Sequence, residues 1–320
     1  MAYDLWYILC KTMKGLSLVI PFHSRADYFD EMLNSLRALT VKPDEIIFVN
    51  NNAQDQMVDM VCQFKEDVEG MCKVLLVTCS TPGACAARNA GAKMASCEFI
   101  YFFDSDDAMS ADFVGRVKTE IDREDADVYV FVTQIIKADG RTHVRRYGAS
   151  IHPGYQILSA FLSTQSIVVR KAFLLDIGGW DESISYWNDW ELGIRLLLHS
   201  PRMRYFPDIS YHCIYEHSNS ITGNSLSEHV GEIDSVLGIV YDELCSQEEQ
   251  DALFLRKAII AGKIKAEGDT QGAKSLYKKC FPMKPAVMTR LLASLLFHYT
   301  AAGIPGAWRI AVKMLRLKTF

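Results

Sequence analysis

The sequence lacks any apolar run long and unbroken enough to cross a bilayer. Leu5–Cys10 is apolar but short and has no basic start before it, so neither a signal peptide nor a span is expected there. Leu291–Val312 is longer, but Pro305, Gly306 and Arg309 interrupt it. Two readings stay open for that segment: packing as a helical pair, or lying on a membrane surface beside Lys313, Arg316 and Lys318. The nine cysteines show no C-x-x-C spacing. An odd count without a pairing pattern points to reduced thiols in a cytosol, and none is given a catalytic role. No strong excess of one charge is present either. A formal net charge of -5 excludes a general nucleic-acid binder. Finally, no G-x-G-x-x-G and no glycine-rich phosphate loop follows the first strand, which sets aside a dehydrogenase or a nucleotidyltransferase.

What is present is an ordinary globular composition, 49% hydrophobic and 23% charged over 320 residues. The length allows one large domain and an appendage. Leu16–Ile20, Glu45–Val49, Lys73–Val77 and Glu98–Phe103 are continuous apolar runs of the kind buried on both faces of a sheet. Helical stripes separate them at Tyr28–Leu39, Gln56–Phe64 and Ala84–Ala95. That alternation predicts an α/β fold with a mainly parallel sheet flanked by helices. Further strands are expected at Asp127–Thr133, Arg141–Tyr147 (an edge) and Ser166–Arg170, and helices at Lys171–Ile177 and Asp189–Leu198. Beyond about Ser225 the pattern is helical throughout. The expected division is an extension over 1–14, an α/β domain over 15–222 with halves at 15–107 and 108–222, and a helical subdomain over 223–320.

In parallel sheets ligands sit beyond the carboxyl ends of the strands. The fourth run ends in Asp104, Asp106 and Asp107. Three carboxylates so close repel one another unless a positive group lies between them. A hard divalent cation with a phosphate-bearing ligand behind it is one answer; a polar turn is the other.

Several ordered blocks resemble the family 2 glycosyltransferases, inverting enzymes of GT-A fold that use a nucleotide-sugar donor. Ser17–Phe22 resembles the opening strand and Glu45–Asp55 the second strand with its nucleotide-binding turn. Gly83–Gly91 is similar to the glycine–arginine–asparagine helix, and Phe103–Asp107 to the D-x-D block. Gly178–Glu182 resembles the GGFDE turn, and Asn188–Leu192 with Arg195 the E-D-x-x-L-x-x-R block. The likeness runs from about Leu16 to Ile221.

The resemblance implies sugar transfer from a nucleoside-diphosphate sugar, by the family's habit a UDP-sugar, to a hydroxyl of a glycan or lipid-linked acceptor. The process served would be surface polysaccharide or glycoconjugate synthesis. Donor contacts would come from Pro21, His23, Asn50, Asn51, Gly83, Arg88, Asp104, Ser105 and Asp106. Arg88 has two readings, a diphosphate clamp or a partner for a cluster carboxylate. Mn2+ or Mg2+ would be held by Asp106, Asp107 and His217. Acceptor contacts would come from Gly179, Trp180, Trp187 and Asn188, with Asp189 as the base. On its own Asp189, at a helix start, reads as an N-cap. Trp190 is expected in the core. Arg170 reads as an acceptor-side arginine or as a partner of Asp181 or Glu182.

Two departures matter. Asn50 and Asn51 stand where the family usually has aspartates, one of which reads uracil, and Asn188 replaces a glutamate. A non-catalytic sugar-nucleotide or glycan-binding module is therefore the alternative. The expected location is the cytoplasm, with a peripheral position on the inner face of the membrane as the variant reading. No nucleic-acid partner is expected.

Overall fold

The computed structural model describes residues 13–23, 28–136, 139–145, 148–215, 225–278 and 285–319. The chain divides into two compact units, interleaved along the sequence. The first comprises Met1–Arg146, Thr164–Glu182 and Arg202–Tyr215; the second comprises Tyr147–Ser163, Ser183–Pro201 and Glu216–Phe320.

The first unit is built on a mixed sheet. β1 (Met13–Phe22) lies between β2 (Glu45–Asn50) and β4 (Cys97–Phe102), parallel to both, and β3 (Lys73–Thr78) adds outside β2, also parallel. Flanked on both sides, β1 is inaccessible at Leu16, Leu18, Val19 and Ile20, which is why its sequence is an unbroken apolar run rather than an alternation. α1 (Phe29–Arg37), α2 (Asp55–Asp67) and α3 (Ala84–Met94) are the crossovers. α3 lies close on the sheet because its residues are small. A Cβ on Gly91 would come within 2.4 Å of Val19 Cγ1 and 3.0 Å of Val49 Cγ2.

Beyond β4 the sheet stops being parallel. The order is β3-β2-β1-β4-β8-β6-β9-β5, with β7 also on β6. β8 (Ile167–Arg170) is antiparallel to both β4 and β6 (Val128–Ile136). β7 (Thr142–Arg145) pairs antiparallel with β6, as expected of an edge strand. β5 (Ala108–Met109), α4 (Phe113–Arg123) and β9 (Met203–Tyr215) are additions to the sequence reading. β9 runs parallel to β6, but its register shifts where Phe131 faces Phe206 and Val132 faces Ser210. Pro207 and Asp208 fall inside that shift. A proline in an apolar run argues against a strand, and here the irregularity accommodates it. α6 (Lys171–Asp176) follows β8 directly.

The second unit is helical: α5 (Pro153–Ser159), α7 (Asn188–Leu198), α8 (Val230–Glu243), α9 (Gln247–Ala266), α10 (Thr270–Lys278), α11 (Val287–Ala301) and α12 (Ala307–Met314). α9 is its axis and packs against α5, α8, α10, α11 and α12. Ala252, Leu253, Leu255, Ala258, Ile259, Ile260, Ala261 and Ile264 are all buried, so no single face is apolar. The helix starts on a capping box between Ser246 and Glu249. Gly262 lets α11 approach closely; a Cβ there would overlap Thr300 Oγ1.

Candidate functional site

β1, β2, β3 and β4 are parallel, so their carboxyl ends share one edge of the sheet in the first unit. Pro21 is half-buried there, and His23 is exposed, with Nδ1 3.0 Å from the Asn52 carbonyl. Asn50 accepts from the Ala53 N–H at 2.8 Å, an Asx-type turn after β2. Asn51 is buried and knits three segments. Its Nδ2 donates to the carbonyls of Cys79 (2.9 Å) and Thr81 (2.7 Å), and its Oδ1 accepts from Gly83 N (2.9 Å). An aspartate could not donate to two carbonyls, which gives the asparagine a local reason. Gly83 opens α3 with φ +117, a conformation suited to glycine.

From α3, buried Arg88 reaches Asp104, Nη2 to Oδ1 at 2.8 Å, and stacks its guanidinium 4.5 Å from the Trp180 ring centroid. Gln165, a residue the sequence reading passed over, donates from Nε2 to Asp104 Oδ2 and, at 3.3 Å, to Asp107 Oδ2. The Gln165 carbonyl accepts from Tyr101 OH at 2.9 Å. Full burial, followed by the nearby charges of Asp107 and Asp104, pushes the Tyr101 phenol well above its ordinary value, so it stays a donor. Gln165 sits in a short 3-10 turn without a motif, and only the fold shows its role. Ser105 and Asp106 are half-buried in the turn between β4 and β5, while Asp107 is buried.

Asn89, next to Arg88, fixes the Gly178–Glu182 turn. Its Nδ2 donates to the Trp180 carbonyl (2.8 Å) and to Glu182 Oε1 (2.9 Å), and its Oδ1 accepts from Trp180 N (2.9 Å). Gly179, at φ +71, leaves room for that amide; a Cβ would sit 2.7 Å from Asn89 Oδ1. Trp180, expected on the acceptor side, is 2% exposed and packs edge-on against Phe102 at 5.3 Å. The structure gives it the role of floor beneath Arg88. Arg170 takes neither expected role: it pairs with Glu98, Asp125 and, at 3.1 Å, Asp127.

In the second unit, α7 begins with Asn188 and Asp189, both half-buried, and Asp189 Oδ1 accepts from Trp190 N at 2.8 Å. Asp189 therefore lies inside the first turn, where the helix dipole favours a carboxylate, and the N-cap is Trp187. Trp187 has φ +61, a strained conformation for a bulky residue. Its half-buried indole stacks on Tyr186 (5.5 Å), meets Trp190 edge-on (5.6 Å) and lies under the Arg256 guanidinium (5.0 Å). Trp190 is core, as expected, its Nε1 bonded to the Ile157 carbonyl at 3.1 Å. Arg195 forms a buried two-pronged pair with Glu191 at 2.6 and 2.9 Å. Arg256, on α9, also donates to the Leu158 carbonyl at 3.0 Å. It is the second contributor the sequence reading missed, because nothing in its own neighbourhood marks it. His217 lies outside the described residues.

Among the described residues no group of three His, Cys, Asp or Glu is gathered as a metal cage. Mg2+ and Mn2+ commonly use one or two carboxylates and complete their shell with phosphate oxygens and water, and Asp106 and Asp107 are a donor set of that hard kind. Burial raises the pKa of the Cys72 and Cys97 thiols, so neither is an activated nucleophile.

Residues 17–174 match the protein-family model for glycosyl transferase family 2. Over that region the chain is a family 2 glycosyltransferase sequence. The chain is 28% identical over 167 residues to the glycosyltransferase GlyA of Streptococcus pneumoniae, covering 52% of this chain and 23% of that protein. It is 25% identical over 130 residues to the poly(ribitol-phosphate) beta-N-acetylglucosaminyltransferase TarS of Staphylococcus aureus, covering 40% of this chain and 22% of TarS. The chain thus spans about a quarter of the length of these curated relatives. Residues 1–349 of TarS in complex with UDP-GlcNAc superpose with a TM-score of 0.64 at 18% identity, covering 95% of this chain and 92% of that one. The mannosyltransferase PcManGT of Pyrobaculum calidifontis, in complex with GDP-Man and Mn2+, gives 0.57 at 14% identity over 99% and 92%. The chain has the GT-A type of fold these share.

Proposed function

We propose that this chain transfers a sugar, with inversion, from a nucleoside-diphosphate sugar to a hydroxyl of a polymeric or lipid-linked glycan acceptor. The observation that carries the reading is the set of carboxylates at the end of β4, held in place by Arg88 and Gln165 within a matched family 2 region. Cleaving the anomeric bond leaves charge on the departing diphosphate, which must be neutralised. A divalent cation would supply Lewis-acid stabilisation, held by Asp106 and Asp107, with His217 as a third candidate.

The chain's own residues do the rest. Asn50, at the end of β2, offers Nδ2 toward a base or ribose; Pro21, His23 and Ser105 complete the candidate donor contacts. Arg88 acts through Asp104, the second of its two expected roles, by holding that carboxylate in an ion pair. Asp189 accepts the proton of the acceptor hydroxyl, and Trp187 offers an indole face on which a sugar can stack. The strained backbone of Trp187 supports a functional use for that ring. A UDP-sugar donor and a cell-wall type acceptor are supported by the TarS likeness, since TarS is named for a poly(ribitol-phosphate) acceptor and binds UDP-GlcNAc. The non-catalytic alternative loses one argument, because Asn51 is occupied structurally and is not a sign of decay.

The test is a panel of UDP-, GDP- and dTDP-sugars with Mn2+ or Mg2+, read as thermal shift and released nucleotide. Asp106→Ala should lose the metal-dependent donor shift. Asp189→Asn should keep that shift and lose turnover. Donor binding by the wild type with no turnover on any acceptor tried, and no difference for Asp189→Asn, would favour the binding module.

A further inference from the structure

The helical unit carries a surface from which the proposed sugar transfer draws no residue. On α11, Thr289, Leu292, Ala293, Leu296 and Thr300 face the core. The opposite face is apolar as well: Val287 is 73% exposed, Met288 67%, Leu291 62% and Leu295 60%. These residues recur at helical spacing, so they form one continuous stripe. Ile304 and Met314 are also exposed, at 44% and 53%. A helix apolar on both faces in a water-soluble context marks an interaction surface.

The charge pattern says what kind. From Thr270 to Phe320 the sequence holds nine of the chain's 34 Lys and Arg and none of its 39 Asp and Glu. The otherwise acidic sequence thus holds a segment, 270–320, whose only charged Lys, Arg, Asp or Glu residues are basic. Arg290 on α11, Arg309 and Lys313 on α12, and Arg316 and Lys318 beyond it are exposed, and α11 packs on α12. α11 has 15 residues, too few to span a bilayer, and no helix among the described residues is long and apolar enough to do so.

We propose that α11 and α12 dock the protein on an anionic phospholipid surface, the apolar stripe entering the acyl boundary and the cations meeting headgroup phosphates. Apolar insertion plus basic attraction is the two-signal arrangement by which peripheral proteins hold to bilayers. A symmetric pairing of two copies is disfavoured, because it would set the exposed cations of α11 and α12 against themselves. The surface is read from the helical unit alone, so it stands or falls independently of the transfer chemistry.

The experiment is flotation of the full chain with vesicles of phosphatidylcholine, with or without phosphatidylglycerol, at low and high salt. Binding is expected only with phosphatidylglycerol, and it should weaken as salt rises. Leu291→Ser/Leu295→Ser and Arg309→Glu/Lys313→Glu should each weaken it about tenfold or more, with melting temperatures kept because all four side chains are exposed. If the serine variant melts lower, the charge-reversal variant decides. No binding to either vesicle, equal binding to both, or variants that float like wild type would overturn the proposal. So would light scattering that shows a wild-type dimer, made monomeric by the serine pair, without lipid binding.

Discussion

Among single residues, Asn51 and Asn89 do the most to hold the candidate site together. Each uses a donor–acceptor amide to join segments far apart in sequence. Asn51 ties the end of β2 to Cys79, Thr81 and Gly83, and Asn89 holds the Gly178–Glu182 turn beneath α3. Asn51→Asp is therefore not a return to a better nucleotide contact. A carboxylate there would face two carbonyl oxygens and remove the amide N–H that each now accepts. A loss of about 1–3 kcal/mol is expected, measured by urea denaturation, with donor affinity falling rather than rising. Asn51 also shows where sequence reading reached its limit. The departure from aspartate was visible, but its cause was not, because the partners lie 28 and more positions away.

Whole elements follow their sequences where burial is uniform and escape them where it is interrupted. β1, β2 and β4 were legible because strands covered on both faces leave an unmistakable apolar run, and β3 kept such a run although it lies at the sheet edge with Leu76 exposed. β9 was not, because its register shift admits Pro207 and Asp208. α4 carries a clear stripe, Phe113, Val114, Val117 and Ile121, yet it follows the acidic turn, which drew the reading instead. The start of β2 makes a separate prediction. Glu45 is buried, which alone would raise its pKa, but hydrogen bonds from Ser96, Ser17 and Lys73 outweigh burial and hold it below the ordinary carboxylate value. A depressed folded pKa adds stability that is complete above the unfolded value and lost as pH falls through the folded one. Glu45→Gln should cost stability at neutral pH, and its difference from wild type should shrink in acid. Urea midpoints measured at both pH values check this; a constant difference would refute it.

For the molecule as a whole, the interleaving of the two units governs what can be removed. The helical unit takes Tyr147–Ser163 and Ser183–Pro201 from the middle of the chain, and α9 covers α5 within it. A fragment ending near Ile221 would keep α5 and α7 but lose α8 and α9, baring Ile157, Leu158 and Trp190. Such a fragment is expected to aggregate or to show a broad, uncooperative melt, whereas a self-sufficient domain would melt sharply. The α/β character was legible from strand and helix alternation. The interleaving was not, because short helices such as α5 carry no mark of the unit they join.

The stacked indole of Trp187 has a practical consequence. Trp180 and Trp190 are buried, each beneath a guanidinium, so their emission is shielded from added solutes. Trp187 is half-open, wedged beside a phenol and beneath a guanidinium. Any molecule that covers it displaces water from an excited-state dipole and changes the colour and yield of the light. The difference spectrum between wild type and Trp187→Phe is thus a built-in optical gauge of occupancy at that ring, needing no label.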